Sequence, residues 1–246
     1  MKPERPVLSR GPVRVKSRRM ITPLMVRLTM DTSRLPDMAW RYPAHAVKLF
    51  VPHEGQTVAR TYTIRRYDAA AREMDLDFLL HGDGPAARWA QHAQAGEDIE
   101  LAGPRAGFAR APGAAWQLMI GDATALPAIA SMLESLPAGD RALALIAVRD
   151  AAEEQPIETA AQLQLRWVHV QDGTPASTGH ALEQALHAAA LPDGPVQVFI
   201  AAESSAVRGL RALFPRQGES RPGWDVVQMH ATGYWKQGAQ DYHDHH

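Results

Sequence analysis

Apolar and polar side chains alternate with period two along much of the first half of the chain. Val26, Leu28 and Met30 alternate with Arg27 and Thr29, and Met74, Leu76, Phe78 and Leu80 alternate with Asp75 and Asp77. Such a period puts each set on one face of a pleated strand, so these stretches predict half-buried β-strands. By the same reading residues 13–15, 24–30, 46–51, 60–67, 74–80 and 97–102 are strands, most of them joined by short turns. That is the pattern of an antiparallel barrel or sandwich. Asp75 and Asp77 are expected on the solvent side of their strand.

The pattern changes at Pro112-Gly113, which divides the chain into expected domains 1–112 and 113–246. Beyond it, apolar strands at 116–120, 142–148, 162–170, 196–201 and 226–230 are interspersed with helical stretches at 125–136, 179–191 and 204–213. Strand and helix in turn predict an open, mostly parallel sheet covered by helices on both faces. Trp89 and Trp116 fall in apolar settings and are read as core.

Composition narrows the function. The chain has 246 residues, 46% of them hydrophobic, and a formal net charge of −1, so it lacks the basic surplus of a nucleic-acid binder. No apolar run approaches the length of a membrane span. There is no cysteine, which excludes disulfides, thiolate metal sites, iron–sulfur clusters and a cysteine nucleophile. The basic stretch 1–20 has no apolar signal core, and the protein is read as cytoplasmic. The eleven histidines never adopt the H-E-x-x-H spacing of a zinc helix, and the closing Asp241-Tyr242-His243-Asp244-His245-His246 is read as a terminal tail.

Four stretches carry candidate chemistry. Arg60-Thr61-Tyr62-Thr63-Ile64-Arg65 reads as a strand offering a ring, hydroxyls and two guanidiniums, a mixture suited to a flavin dinucleotide. Taken alone it also fits an edge strand with solvated arginines. His81-Gly82-Asp83-Gly84-Pro85-Ala86-Ala87 ends a strand in glycines and opens a helix at Pro85, where the N–H groups of Gly84, Ala86 and Ala87 can cradle pyrophosphate, or simply cap a turn. Gly121-Asp122-Ala123-Thr124-Ala125 and Ala202-Glu203-Ser204-Ser205 fall at the carboxyl ends of parallel strands, where a dinucleotide would sit. The G-x-G-x-x-G fingerprint is absent.

In this order, the 47–52 strand, Arg60 to Arg65, Phe78 to Trp89, Gly121 to Ile129 and Gly233-Tyr234-Trp235-Lys236-Gln237-Gly238 resemble the siderophore-interacting protein family. These are ferric-siderophore reductases of the wider ferredoxin-reductase-like flavoproteins. The resemblance implies a six-stranded antiparallel flavin-binding barrel followed by a Rossmann-like NAD(P)H-binding domain. It implies that Arg60, Tyr62, Thr63 and Arg65 hold the flavin ring, ribityl chain and phosphates of FAD, residues 81–87 the pyrophosphate, and Gly103 to Phe108 the adenine side. Gly121, Asp122, Thr124 and Ala125 would line the pyridine-nucleotide site with Glu203 and Ser204 opposite, and Tyr234 and Trp235 would return beside the flavin.

Lys48 and Lys236 match a basic cluster that the family uses for anionic ferric siderophores, and Arg66 is a third candidate. Two positions depart from the family pattern, both in the nucleotide half. Ala123 stands where glutamate is usual, and Ala202 where glycine is frequent. The expected activity is hydride transfer from NADH or NADPH to FAD and reduction of Fe(III)-siderophore, by a monomer, with no catalytic triad and no metal held by the protein. The mixed charges of Arg149-Asp150 and Glu153-Glu154 leave the choice of nicotinamide open. Two other readings remain: a general NAD(P)H:flavin or ferredoxin-type reductase, and a protein that binds ferric siderophore without using NAD(P)H.

Overall fold

The alternation read from the first half becomes the inner and outer faces of a closed barrel. The structure is a computed structural model describing residues 9–36, 42–80, 82, 84–105, 107–215 and 223–239, which fall into two compact units, the first reaching Ala109 and including Ala130–Met132, the second formed by the rest of the chain from Arg110. In the first unit, strands β1 (Ser9–Thr22), β2 (Met25–Asp31), β3 (Ala46–His53), β4 (Gln56–Asp68), β5 (Glu73–Leu79) and β6 (Asp98–Arg105) close in the order β1-β2-β5-β4-β3-β6. The inward rows Val26/Leu28/Met30, Val47/Leu49/Val51, Met74/Leu76/Phe78 and Ile99/Leu101 are buried together with Val13, Val15 and Ile64.

Closure depends on β1, which is longer at both ends than its apolar core predicts. Its first half pairs with β6, from Ser9↔Gly103 to Arg14↔Asp98, and its second half with β2, from Arg14↔Asp31 to Thr22↔Met25. Register shifts at Val15/Ser17 and Met20/Thr22 bend the strand between the two partners, and closing the ring leaves no bare edge. Helix α1 (Pro85–His92) supplies Ala86 and Ala90 to the barrel core, with Ala93 just beyond it, and Trp89 meets Phe78 edge-on at 5.8 Å between centroids.

One expectation is overturned here. Asp75 and Asp77 do lie on the outer face, but they are only 5% and 4% exposed. Arg27, their neighbour on β2, bonds Asp77 through both guanidinium branches at 2.6 and 2.7 Å, while the Thr29 hydroxyl and Arg66 donate to Asp75 at 2.7 and 3.1 Å. An alternating pattern identifies the face of a strand, but not whether neighbouring strands cover it with long side chains.

The second unit is a five-stranded sheet in the order β11-β10-β7-β8-β9, parallel throughout. Its strands are β7 (Trp116–Asp122), β8 (Arg141–Val148), β9 (Gln162–His169), β10 (Val196–Glu203) and β11 (Val226–Trp235), with helices α2 (Leu126–Glu134), α3 (Pro175–His187) and α4 (Ser204–Arg211). Inner strands β7 and β10 are buried along their whole length and β8 nearly so, which is why they read as continuous apolar runs, whereas edge strand β9 alternates. The chain winds outward from β7 through β8 and β9 and then crosses back to β10. The reversal lies between β7 and β10, where sheets of this kind open a crevice at their carboxyl ends.

In this unit two of the shifted boundaries have a visible cause. Helix α3 begins at Pro175 because the Thr174 hydroxyl caps Ser177 N–H and proline suits the first turn. Strand β11 continues past His230 to Trp235, pairing beyond a register shift with Glu203. Trp116 is core, 3% exposed, with its indole N–H donated to the Gly194 carbonyl. Among the described residues no helix is long and apolar enough to cross a membrane.

Candidate functional site

In the barrel unit the motif strand β4 runs beside β3 with Ala46↔Thr63, Val47↔Tyr62 and Lys48↔Thr61 in register. Lys48, Thr61, Thr63 and Arg65 therefore share the outward rows, while Tyr62 and Ile64 belong to the inward one. Ile64 is fully buried, but Tyr62, Thr63, Arg60 and Arg65 are all half-buried. The Tyr62 ring leans on Phe78 at 4.2 Å between centroids and 37°, and burial pushes its phenol well above the ordinary tyrosine range, opposed by the nearby Arg60 charge. It stands in the barrel wall, core on one side, and is neutral at any physiological pH.

A register shift between Ile64 and Arg66 ends the alternation and sends Arg66 outward to its ion pair with Asp75. Arg66 is exposed and paired with that carboxylate.

At the start of α1, Gly84 is exposed and occupies the N-cap position without a side-chain cap, and Pro85 follows. There is no acidic residue in the first turn. A Cβ on Gly82 or Gly84 would meet no atom within 4 Å. Helices α3 and α4, by contrast, are closed by Thr174 and Glu203. Ala86 and Ala87 stand in the first turn, where a helix has no acceptor of its own for their N–H groups, and these residues fit a pyrophosphate. His81 lies outside the described residues.

In the sheet unit the candidate residues come together, but on one another. Gly121 is a packing glycine: a Cβ there would stand 2.7 Å from both the Ala125 side chain and the Ala201 carbonyl. The Asp122 carboxylate, 8% exposed, accepts four hydrogen bonds. Its Oδ1 takes the Thr124 N–H at 2.9 Å and the Thr124 hydroxyl; its Oδ2 takes the Glu203 N–H and the Trp235 indole N–H, each at 2.9 Å. Four donors fill the capacity of an ionised carboxylate.

Glu203 is likewise committed. Its Oε2 caps α4 through Ser205 and Ala206, and Oε1 accepts the Gln237 N–H at 3.2 Å. Burial pushes its pKa up, but these donors, the Ser205 hydroxyl foremost, hold it below the usual glutamate value. Asp122 and Glu203 thus tie the carboxyl ends of β7, β10 and β11 into one knot. Ala123, Thr124 and Ser204 form its half-exposed rim, with Tyr234 half-buried and Lys236 exposed.

Sequence reasoning had Asp122 and Glu203 as nucleotide contacts and did not find their structural partners. Trp235 is 113 positions from Asp122, and no local pattern signals that pairing. Among the described residues no group of three or more histidines and acids is placed to hold a metal ion.

Comparison with known proteins agrees with this architecture. The profile of the siderophore-interacting protein family matches residues 114–238, and that of the siderophore-interacting FAD-binding domain matches residues 52–108. The ferric vibriobactin reductase ViuB of Vibrio cholerae is 32% identical over 196 residues, covering 78% of this chain and 70% of its own. An NADPH-dependent ferric-chelate reductase of Escherichia coli is 27% identical over 202 residues, 78% of this chain and 74% of its own. The crystal structure of a siderophore utilization protein from T. fusca superposes with a TM-score of 0.82 at 33% identity, over 94% of both chains. A ferredoxin NADP+ reductase from Neisseria gonorrhoeae, 14% identical, shares the fold at a TM-score of 0.61 over 92% of this chain and 99% of its own.

Proposed function

The chain belongs to the siderophore-interacting protein family, and from that premise we propose that it is an FAD-dependent NAD(P)H reductase of ferric siderophores. Arg60, Tyr62, Thr63 and Arg65 on one strand, with the uncapped start of α1 in the same unit, carry this reading. The two guanidiniums and the Ala86 and Ala87 N–H groups answer the charge of a pyrophosphate, the Thr63 hydroxyl serves the ribityl chain or a ring edge, and Tyr62 backs the isoalloxazine. Bound FAD supplies hydride acceptance and one-electron transfer to iron.

The protein's own part is placement. No side chain is required to act as nucleophile or general acid. Lys48 and Lys236 draw in an anionic, oxygen-rich ferric complex, and Arg66, paired with Asp75, adds little net charge to that task. Hard oxygen ligands hold Fe(III) far better than Fe(II), so reduction loosens the chelate and iron leaves. The nicotinamide nucleotide is assigned to the half-exposed rim formed by Ala123, Thr124 and Ser204, since Gly121, Asp122, Ala125 and Glu203 are buried. The reaction is assigned to the cytoplasm, where NAD(P)H is available, and to a monomer.

A second reading, in which electrons arrive from a partner instead of NAD(P)H, is favoured by one observation: the Thr124 N–H and hydroxyl, at the turn that opens α2, are already donated to the Asp122 carboxylate and not offered to a nucleotide phosphate. Anaerobic mixing of the purified yellow protein with NADH or NADPH distinguishes the two. Bleaching of the flavin spectrum followed by recolouring on addition of ferric siderophore is the expected result. A flavin that neither nucleotide bleaches, but dithionite does, selects the partner-fed reading.

A further inference from the structure

His45 is almost fully buried, 2% exposed, where the chain enters β3. Both ring nitrogens are engaged. The Tyr42 N–H donates to Nε2 at 3.3 Å, and Nδ1 meets the Arg105 carbonyl. A donor at Nε2 requires a lone pair there, so the ring proton resides on Nδ1 and is given to Arg105; the two contacts together select one neutral tautomer. Burial agrees, lowering the imidazole pKa against the opposing pull of the Arg105 carbonyl.

The same residue is tied to the motif strand. Its main-chain carbonyl accepts the N–H of Ile64, which stands between Thr63 and Arg65, at 2.7 Å. The segment beyond Arg105 is pressed against the same loop. Phe108 N–H donates to the Pro43 carbonyl at 2.9 Å. A Cβ on Gly107 would stand 2.6 Å from that carbonyl and 3.2 Å from His45 Cγ. His45 therefore joins the entry of β3, strand β4 and the segment that follows β6.

We propose that His45 is a positioning residue for the adenine half of FAD, holding the Gly107-Phe108 segment at a set distance from the Thr63-Arg65 strand. The inference rests on the flavin reading given above. Strand β4 keeps its own ladders with β3 and β5, so the ring, ribityl and first-phosphate contacts survive loss of the imidazole. The imidazole itself holds the Arg105 carbonyl at the end of β6 and lies against Gly107, one residue before Phe108, a half-buried ring able to stack on a purine. FAD and FMN share everything but the adenylate, and they distinguish these two effects.

The test titrates flavin-free full-length protein with FAD and, separately, with FMN. His45→Ala is expected to raise the FAD dissociation constant about tenfold, the loss of one buried hydrogen-bonded staple, and to leave that for FMN at the wild-type value. His45→Asn keeps an N–H near the Nδ1 position and is expected to recover most of the loss. Gly107→Ala keeps the histidine but presses a methyl against the Pro43 carbonyl and His45 Cγ, and is expected to weaken FAD selectively as well. An unchanged FAD constant in these variants, or FAD and FMN weakened in equal proportion, overturns the proposal. Wild-type protein that binds neither flavin overturns the flavin reading itself, and the inference falls with it.

Discussion

At the scale of single residues, local pattern reports which face a side chain occupies and is silent on its partner. His45 shows the consequence. Its folded pKa is depressed below the ordinary 6.5, so between those two values the unfolded chain binds the proton that the folded chain refuses. Stability is therefore complete above about pH 6.5 and falls as the pH drops below it, until the folded pKa is reached. Chemical denaturation midpoints of the wild type and His45→Asn, compared at about pH 7.5 and 5.5, should show a smaller acid loss in the variant. Equal losses would assign the acid sensitivity elsewhere. Removing a flavin contact acts differently: Arg60→Ala should leave the fold intact and lower the flavin retained through purification, read as the ratio of visible to ultraviolet absorbance, whereas Tyr62→Ala should lower retained flavin and also stability, because the ring packs on Phe78.

Elements follow from pattern more directly than side-chain partners do. The alternation of Val26, Leu28 and Met30 and the unbroken apolar run of β10 were legible because burial on one face or on both leaves a periodic trace. The Thr174-Pro175 start of α3 is a cap followed by proline, a local signal that the apolar stretch further on outweighs in the sequence. Asp75 and Asp77 could not be read, because what buries them is Arg27, Thr29 and Arg66 on neighbouring strands. The Arg27–Asp77 pair, with side chains 18% and 2% exposed, gives a direct prediction at this scale. Arg27→Met alone leaves a buried carboxylate unpaired and should cost about 3 kcal/mol, whereas Arg27→Met with Asp77→Leu should recover most of it. Urea unfolding of the two single variants and the double variant measures the coupling; strict additivity would show that the pair contributes nothing.

For the molecule as a whole, a net charge of −1 gives no long-range attraction for an anionic chelate, so recruitment depends on local cations. KM for an anionic ferric siderophore should rise with ionic strength as the screening length shrinks to about 10 Å near 0.1 M, while kcat changes little. Lys48→Glu and Lys236→Glu should each raise KM and flatten that salt dependence; a salt response identical to the wild type would remove both from substrate attraction.

Sequence by itself determined the order of elements, the change from antiparallel to alternating strand and helix, the inward rows of the barrel, and the family motifs that point to flavin and ferric siderophore. These are properties of residues close together in the chain, where a period of two or a turn signal records burial directly. The tertiary structure alone decided the bending of β1 that closes the ring, the covering of Asp75 and Asp77, the full commitment of Asp122 and Glu203 to the strand ends around them, and the tautomer of His45. Each depends on at least one partner tens of residues away, and polar side chains leave no periodic mark of the partner they will find.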